Sequence, residues 1–168
     1  EPWLRGQRLL LLEPRRLAAR AAARQMARLL GEEPGETVGW RMRHDSRISA
    51  KTRLEVITEG VLTRMLQEDA SLPGVGAVLF DEFHERSLQA EVGLAFCLQS
   101  QAVLREDLRL LVMSATLAAQ KVAALLGQAP VVVSEGRLFL VAVHRLGRQD
   151  NLTLEENVAD AVRKALVE

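Results

Sequence analysis

The chain has 168 residues, 48% of them hydrophobic and 26% charged, with 22 basic and 22 acidic side chains. That composition belongs to a globular domain with a full core and argues against a disordered chain. No stretch reaches the ~20 apolar residues of a membrane helix, no signal-peptide pattern is visible, and the single Cys97 excludes an internal disulfide and a multi-cysteine metal site.

The neutral total hides a division. Residues 1–64 carry 13 basic and 8 acidic side chains, and residues 65–168 carry 9 and 14. A basic half beside an acidic half fits a protein that holds phosphates along one edge. The cysteine usage makes a reduced, cytoplasmic setting the default expectation.

In chain order, the apolar run 8–12 has the length and flanks of a buried strand. Glu13-Pro14 opens a helix over 15–30, with Leu17, Ala21, Met26, Leu29 and Leu30 expected to face inward and Gly31 to end it. Strands follow at 38–42 and 54–58, then a short helix over 59–68 with Val61, Leu62, Met65 and Leu66 on one face. Arg41, Arg43, Arg47 and Arg53 bracket a hairpin. The turn cluster 72–76 leads into an apolar strand at 77–80, a helix over 87–104 and a second continuous apolar strand at 108–113. A helix over 117–126 closed by Gly127, strands at 131–134 and 138–144, a linker at 147–151 and a helix over 154–167 complete the chain. Apolar strands alternating with helices imply an α/β fold, a parallel sheet with helices on both faces.

Four motifs carry chemistry. The first is Asp81-Glu82-Phe83-His84 after the strand at 77–80. Ligands of open α/β sheets sit beyond the carboxyl ends of the strands, so two adjacent carboxylates there suit Mg²⁺ binding by the first and water orientation by the second. The competing reading is a solvated strand end. The second is Ser114-Ala115-Thr116, whose hydroxyls could equally cap the next helix. The third is Arg15-Arg16 in the first turn of a helix, where cations are disfavoured by the dipole but an arginine fork can grip phosphate. The fourth is Thr58-Glu59-Gly60 with Arg64, a strand-to-helix turn that could be a plain N-cap.

Taken together and in this order, the four motifs resemble the first RecA-like domain of superfamily 2 DEAH-box helicases, and the text around them resembles the bacterial HrpB-type subset, from about residue 4 to 138. The resemblance implies a RecA-like sheet truncated at its N-terminus, with residues 1–146 a partial first RecA-like domain and 147–168 a linker and first helix leading into the second. It implies ATP and Mg²⁺ as cofactors, with Asp81 holding the metal through water, Glu82 orienting the attacking water and His84 facing the second RecA-like domain. Ser114 and Thr116 would couple hydrolysis to strand separation. Arg15, Arg16, Thr58 and Gly60 would contact single-stranded RNA or DNA, and no membrane is involved.

One departure qualifies this. The family's Gly-x-x-x-x-Gly-Lys-Ser/Thr loop, whose amides and lysine cradle the phosphates, does not occur in these 168 residues. Of Lys51, Lys121 and Lys164 only Lys51 precedes a hydroxyl residue, and no glycine run precedes it. The chain is therefore expected to be part of an ATP-dependent helicase that does not hydrolyse ATP by itself. The alternative is a non-catalytic single-strand-binding module that has lost its phosphate loop. A nucleotide-binding protein with no nucleic-acid role ranks last, because Arg15-Arg16 and Ser114-Ala115-Thr116 would go unused. His44 and His144 lack partners at metal-ligand spacing, Cys97 reads as a core residue, and Trp3 and Trp40 read as packing.

Overall fold

The computed structural model describes residues 2–4, 6–115, 119–134 and 141–167. The chain divides into two compact units, Glu1–Val131 and Val132–Glu168.

The first unit is a six-stranded sheet in the order β3-β2-β4-β1-β5-β6. The strands are β1 (Arg8–Glu13), β2 (Val38–Met42), β3 (Asp45–Arg47), β4 (Leu54–Thr58), β5 (Val75–Phe80) and β6 (Arg109–Val112). All neighbours pair in parallel except β3, which returns antiparallel from β2 through His44, a left-handed residue with φ 61°. The sheet is thus mixed, and the expected hairpin is its antiparallel edge.

Alternation along the strands builds two cores. Leu10, Leu12, Ile57, Val78 and Phe80 point to the face covered by α2 (Glu59–Glu68) and α3 (Leu88–Val103), where Leu62, Leu66, Leu94 and Cys97 are buried against them. Leu11, Val38, Trp40, Met42 and Val56 point to the other face, covered by α1 (Arg16–Leu29). Burial raises the Cys97 thiol to about 12, consistent with a packing role.

Three expectations need correction. Helix α1 packs through Ala19, Ala23 and Ala27, all fully buried at i, i+4 spacing, whereas Leu17, Leu29 and Leu30 are exposed and Ala21 lies on the outer side. The three alanines share one core with Trp40 and Met42 of β2, and Met26 packs against its border. The strands expected at 131–134 and 138–144 are also not found: residues 131–134 and 141–144 have no regular structure, and 135–140 lie outside the described residues. Val132, Val133, Val141 and Val143 are exposed, so these apolar runs have β-forming sequence without a neighbouring strand to complete a ladder. Finally, β5 begins at Val75, because the turn is complete at Gly74 and Gly76 lies within the strand. The Val75 N–H donates to the Leu72 carbonyl at 3.1 Å across Gly74, at φ 74°, while Arg105 donates to the carbonyls of Ser71, Leu72 and Val75.

A further helix, α4 (Ala119–Leu125), ends at Gly127 with φ 71°. The second unit holds α5 (Leu154–Ala165), which starts with a capping box in which the Thr153 hydroxyl accepts from the Glu156 N–H and the Glu156 carboxylate accepts from the Thr153 N–H. Its apolar side, Leu154, Val158, Val162 and Leu166, is exposed. None of the described helices is long and apolar enough to cross a membrane.

Candidate nucleotide and nucleic-acid edge

Parallel pairing brings the carboxyl ends of five strands to one edge. Glu13 lies level with Thr58, and Leu12 with Phe80, so Glu13 and Asp81 end adjacent strands side by side. The edge therefore runs from Arg43 and His44 after β2, through Thr58–Gly60 after β4 and Arg15–Arg16 after β1, to Asp81–Glu82 after β5 and Ser114 after β6. Along this edge the arginines lie toward the β2 end, and Asp81 and Glu82 toward the β6 end with Ser114 beyond them.

On the acidic side the Asp81 N–H donates to the Leu12 carbonyl and the Glu82 N–H to Asp81 Oδ1, at 3.1 and 2.8 Å. Glu82 is left-handed at φ 50° and opens a 3-10 turn over Phe83–Glu85, which Arg86, at φ 55°, closes. Two left-handed non-glycine residues cost energy, and the turn is held by specific bonds at both ends. The Phe83 N–H donates to the Met113 carbonyl at 3.1 Å, and the Ser87 hydroxyl donates to Glu59 at 2.7 Å. His84 is the bridge. Its Nδ1 accepts from the Ala115 N–H at 3.2 Å, so the ring proton lies on Nε2, which is 3.2 Å from Glu82 Oε2. One imidazole thus ties the second carboxylate to the Ser114-Ala115 segment. Thr116 lies outside the described residues, and Ser114 is exposed on the edge with a partner of its own.

Glu13 was not singled out by the sequence, and it sits at the centre of the carboxylates. It is buried beside Asp81, and its carboxyl is pushed up to about 7, first by burial and then by Asp81, with Glu82 and Glu85 adding to it. The signal that could have found it is the register: two neighbouring parallel strands, each an apolar run ending in an acid.

On the basic side a cleft of about 760 Å³ opens between the β2–β3 hairpin and α2, lined by Arg43, His44, Thr58, Gly60, Arg64 and Met65 among others. Thr58 occupies the N-cap position of α2, but its hydroxyl makes no capping bond. Gly60 has no positive φ, and a Cβ there would meet nothing within 4 Å. Neither residue type is required by the local backbone, which leaves both facing the cleft. The hairpin is clamped to α1 by Arg20, which pairs with Asp45, and by Arg16, which donates to the Arg43 carbonyl at 3.2 Å; within the hairpin the Trp40 indole N–H donates to Asp45 at 3.0 Å. Arg20 and Arg24 also lie 5.9 and 5.7 Å from the Trp40 ring centre. The Trp40 and Arg20 hydrogen bonds hold the Asp45 carboxyl below the usual carboxylate range. Trp40 is therefore a packing residue, as expected. Arg15, extended at the N-cap of α1, pairs with Glu85 at 3.0 Å.

No protein-family model matches the chain. It is 52% identical to the ATP-dependent RNA helicase HrpB of Escherichia coli over 165 residues, 98% of this chain and 20% of that protein. The crystal structure of E. coli DEAH/RHA helicase HrpB matches 96% of this chain and 21% of its own with a TM-score of 0.88. The chain belongs to the DEAH/RHA helicase family. It is also 34% identical over 156 residues to the probable ATP-dependent RNA helicase DHR2 of Saccharomyces cerevisiae. The chain spans about a fifth of the length of the two curated relatives named here. Its sheet has the RecA-like fold of HrpB, as the motif order implied.

Proposed function

We propose that this segment supplies the metal, water-orienting and strand-holding parts of an ATP-dependent helicase acting on single-stranded RNA or DNA. In this reading residues 1–146 form part of the first RecA-like domain, and 147–168 lead toward the second. The observation that carries it is the His84 bridge, because it joins the carboxylate pair to the Ser114-Ala115 segment on the same edge as the basic cleft. A solvated strand end would have no need of such a link.

The donor set fits a hydrated Mg²⁺. Asp81 sits at the carboxyl end of β5, where one carboxylate, water and phosphates together could hold the cation. Glu13 is raised first by burial and then by the neighbouring carboxylates Asp81, Glu82 and Glu85, a concentration of negative charge that a divalent cation would offset. Asp81 would hold that cation through water, and Mg²⁺ would neutralise charge developing on the phosphates. Glu82 would orient the attacking water, its carboxylate fixed by the His84 Nε2 proton. Arg15, Arg16, Thr58 and Gly60 would follow the phosphate backbone, with Arg43 and Arg64 extending the track into the cleft. The relatives' names favour RNA as the strand. The phosphate cradle is not among these 168 residues, so the chain on its own does not turn over ATP.

The test places Glu82→Gln in a helicase chain that carries this segment together with a phosphate loop. ATP turnover is lost and single-strand affinity stays within two-fold. Undiminished turnover in that variant overturns the assignment.

A further inference from the structure

We propose that Glu85 is a built-in stand-in for a nucleic-acid phosphate, clasping Arg15 when no strand is bound and released when a strand arrives. The inference rests on reading Arg15 as a strand contact.

The geometry is that of a competitor. The Arg15 guanidinium meets Glu85 Oε1 at 3.0 Å across 70 residues of sequence. A carboxylate and a phosphodiester present the same anionic pair of oxygens to an arginine fork. Glu85 does not reach Arg15 by chance placement of a flexible loop. It is the last residue of the 3-10 turn between left-handed Glu82 and Arg86, and that turn is pinned by Phe83 to Met113 and by Ser87 to Glu59. Yet the pair is open to solvent, with 73% of the Arg15 side chain and 34% of the Glu85 side chain exposed, so a phosphate can approach without any backbone movement. Ion pairs this exposed are weak, which a reversible clasp requires.

The position gives the exchange a consequence. Glu85 lies three residues after Glu82 in the same turn, and a second side-chain tie beside that turn, Ser87 to Glu59, runs to the Thr58–Gly60 corner. Two of the side-chain ties of the carboxylate turn therefore lead to strand-binding elements, while His84 ties it to the Ala115 N–H. A strand that takes Arg15 from Glu85 loosens one tie and leaves the others, so strand occupancy is registered next to the water-orienting carboxylate.

A double-mutant cycle on the 168-residue chain tests this, read by fluorescence anisotropy with a labelled 12-mer oligouridylate at low salt. Glu85→Gln, which keeps the size and removes the charge, tightens binding about two- to five-fold, the range an exposed ion pair commands. Arg15→Ala weakens it, and Glu85→Gln added to Arg15→Ala changes nothing. Glu85→Ala repeats the gain and guards against an effect peculiar to glutamine. Equal tightening with and without Arg15 means that Glu85 merely repels the strand, and no tightening means that there is no competition; either overturns the clasp while leaving strand binding intact. A wild-type chain that does not bind the oligonucleotide at all overturns the strand-binding reading and the clasp with it.

Discussion

Glu55 is the interior charge on which the basic half of the sheet depends. It is 1% exposed on β4 and is gripped from both neighbouring strands, by Arg8 of β1 at 2.5 Å and Arg41 of β2 at 2.7 Å. Glu55→Gln would leave two guanidinium groups converging on an amide that offers one acceptor and turns donors toward them. Breaking a fully buried pair costs about 3–5 kcal/mol. Here each arginine keeps about a third of its side chain in water, which lowers the loss through solvent screening, although Arg41 Nε is already buried without a partner. A cost of about 2–3 kcal/mol follows, a large part of a domain's ~5–15 kcal/mol. In a chain of this size that lowers the melting temperature by roughly 5–10 °C. Arg41→Met should cost less, because Arg8 still pairs Glu55. Urea unfolding of the wild type and both variants, followed by circular dichroism, measures this. A Glu55→Gln variant within 0.5 kcal/mol of wild type would refute the reasoning, since a buried carboxylate with two charge-assisted bonds cannot be that dispensable.

Two further outcomes are expected. The Glu13 carboxyl titrates near 7 in the folded chain against an ordinary 4.5, so the protonated form is the one folding favours. Its contribution is complete below about pH 4.5 and is lost as pH rises through 7; the stability of the wild type relative to Glu13→Gln should fall by about 2.5 kcal/mol from pH 5 to 8, and a difference flat with pH in denaturant titrations contradicts this. Gly60→Ala should stabilise the chain by about 0.5–1 kcal/mol, because Gly60 lies in the first turn of α2 with open space at its Cβ position, and should weaken single-strand binding by placing a methyl group in the cleft. Unfolding and oligonucleotide titrations check the two halves, and an unchanged affinity would remove Gly60 from the track.

The strands β1, β5 and β6 were legible because they are largely apolar runs, and the functional edge because these runs lead into distinctive residue types. What eluded the sequence is two-dimensional. The Glu13–Asp81 contact and the Glu55 triad join neighbouring strands far apart in the chain, and only the register brings them together. The α1 error has the opposite origin. Leu17, Leu29 and Leu30 were expected in the core, yet the face of α1 turned to the sheet is the alanine row Ala19, Ala23 and Ala27. The runs 131–134 and 138–144 read as strands because valine favours extended backbone, but propensity supplies no pairing partner for 131–134 or 141–144. At the candidate site, Thr58 and Gly60 were legible as a turn. That they are free of capping and backbone duties follows only from the geometry.

The central claim is that the cationic side of this edge holds a phosphate backbone. Its most direct test is the salt dependence of oligouridylate binding to the 168-residue chain. With Arg15, Arg16, Arg43 and Arg64 each meeting one phosphate, log affinity should fall against log salt with a slope of roughly −2 to −3, at ~0.7 per contact for a single strand. The slope should shrink by about 1.4 in an Arg15→Ala, Arg16→Ala variant, two contacts' worth. Binding with no salt dependence, or a slope unchanged by removing both arginines, would contradict the account.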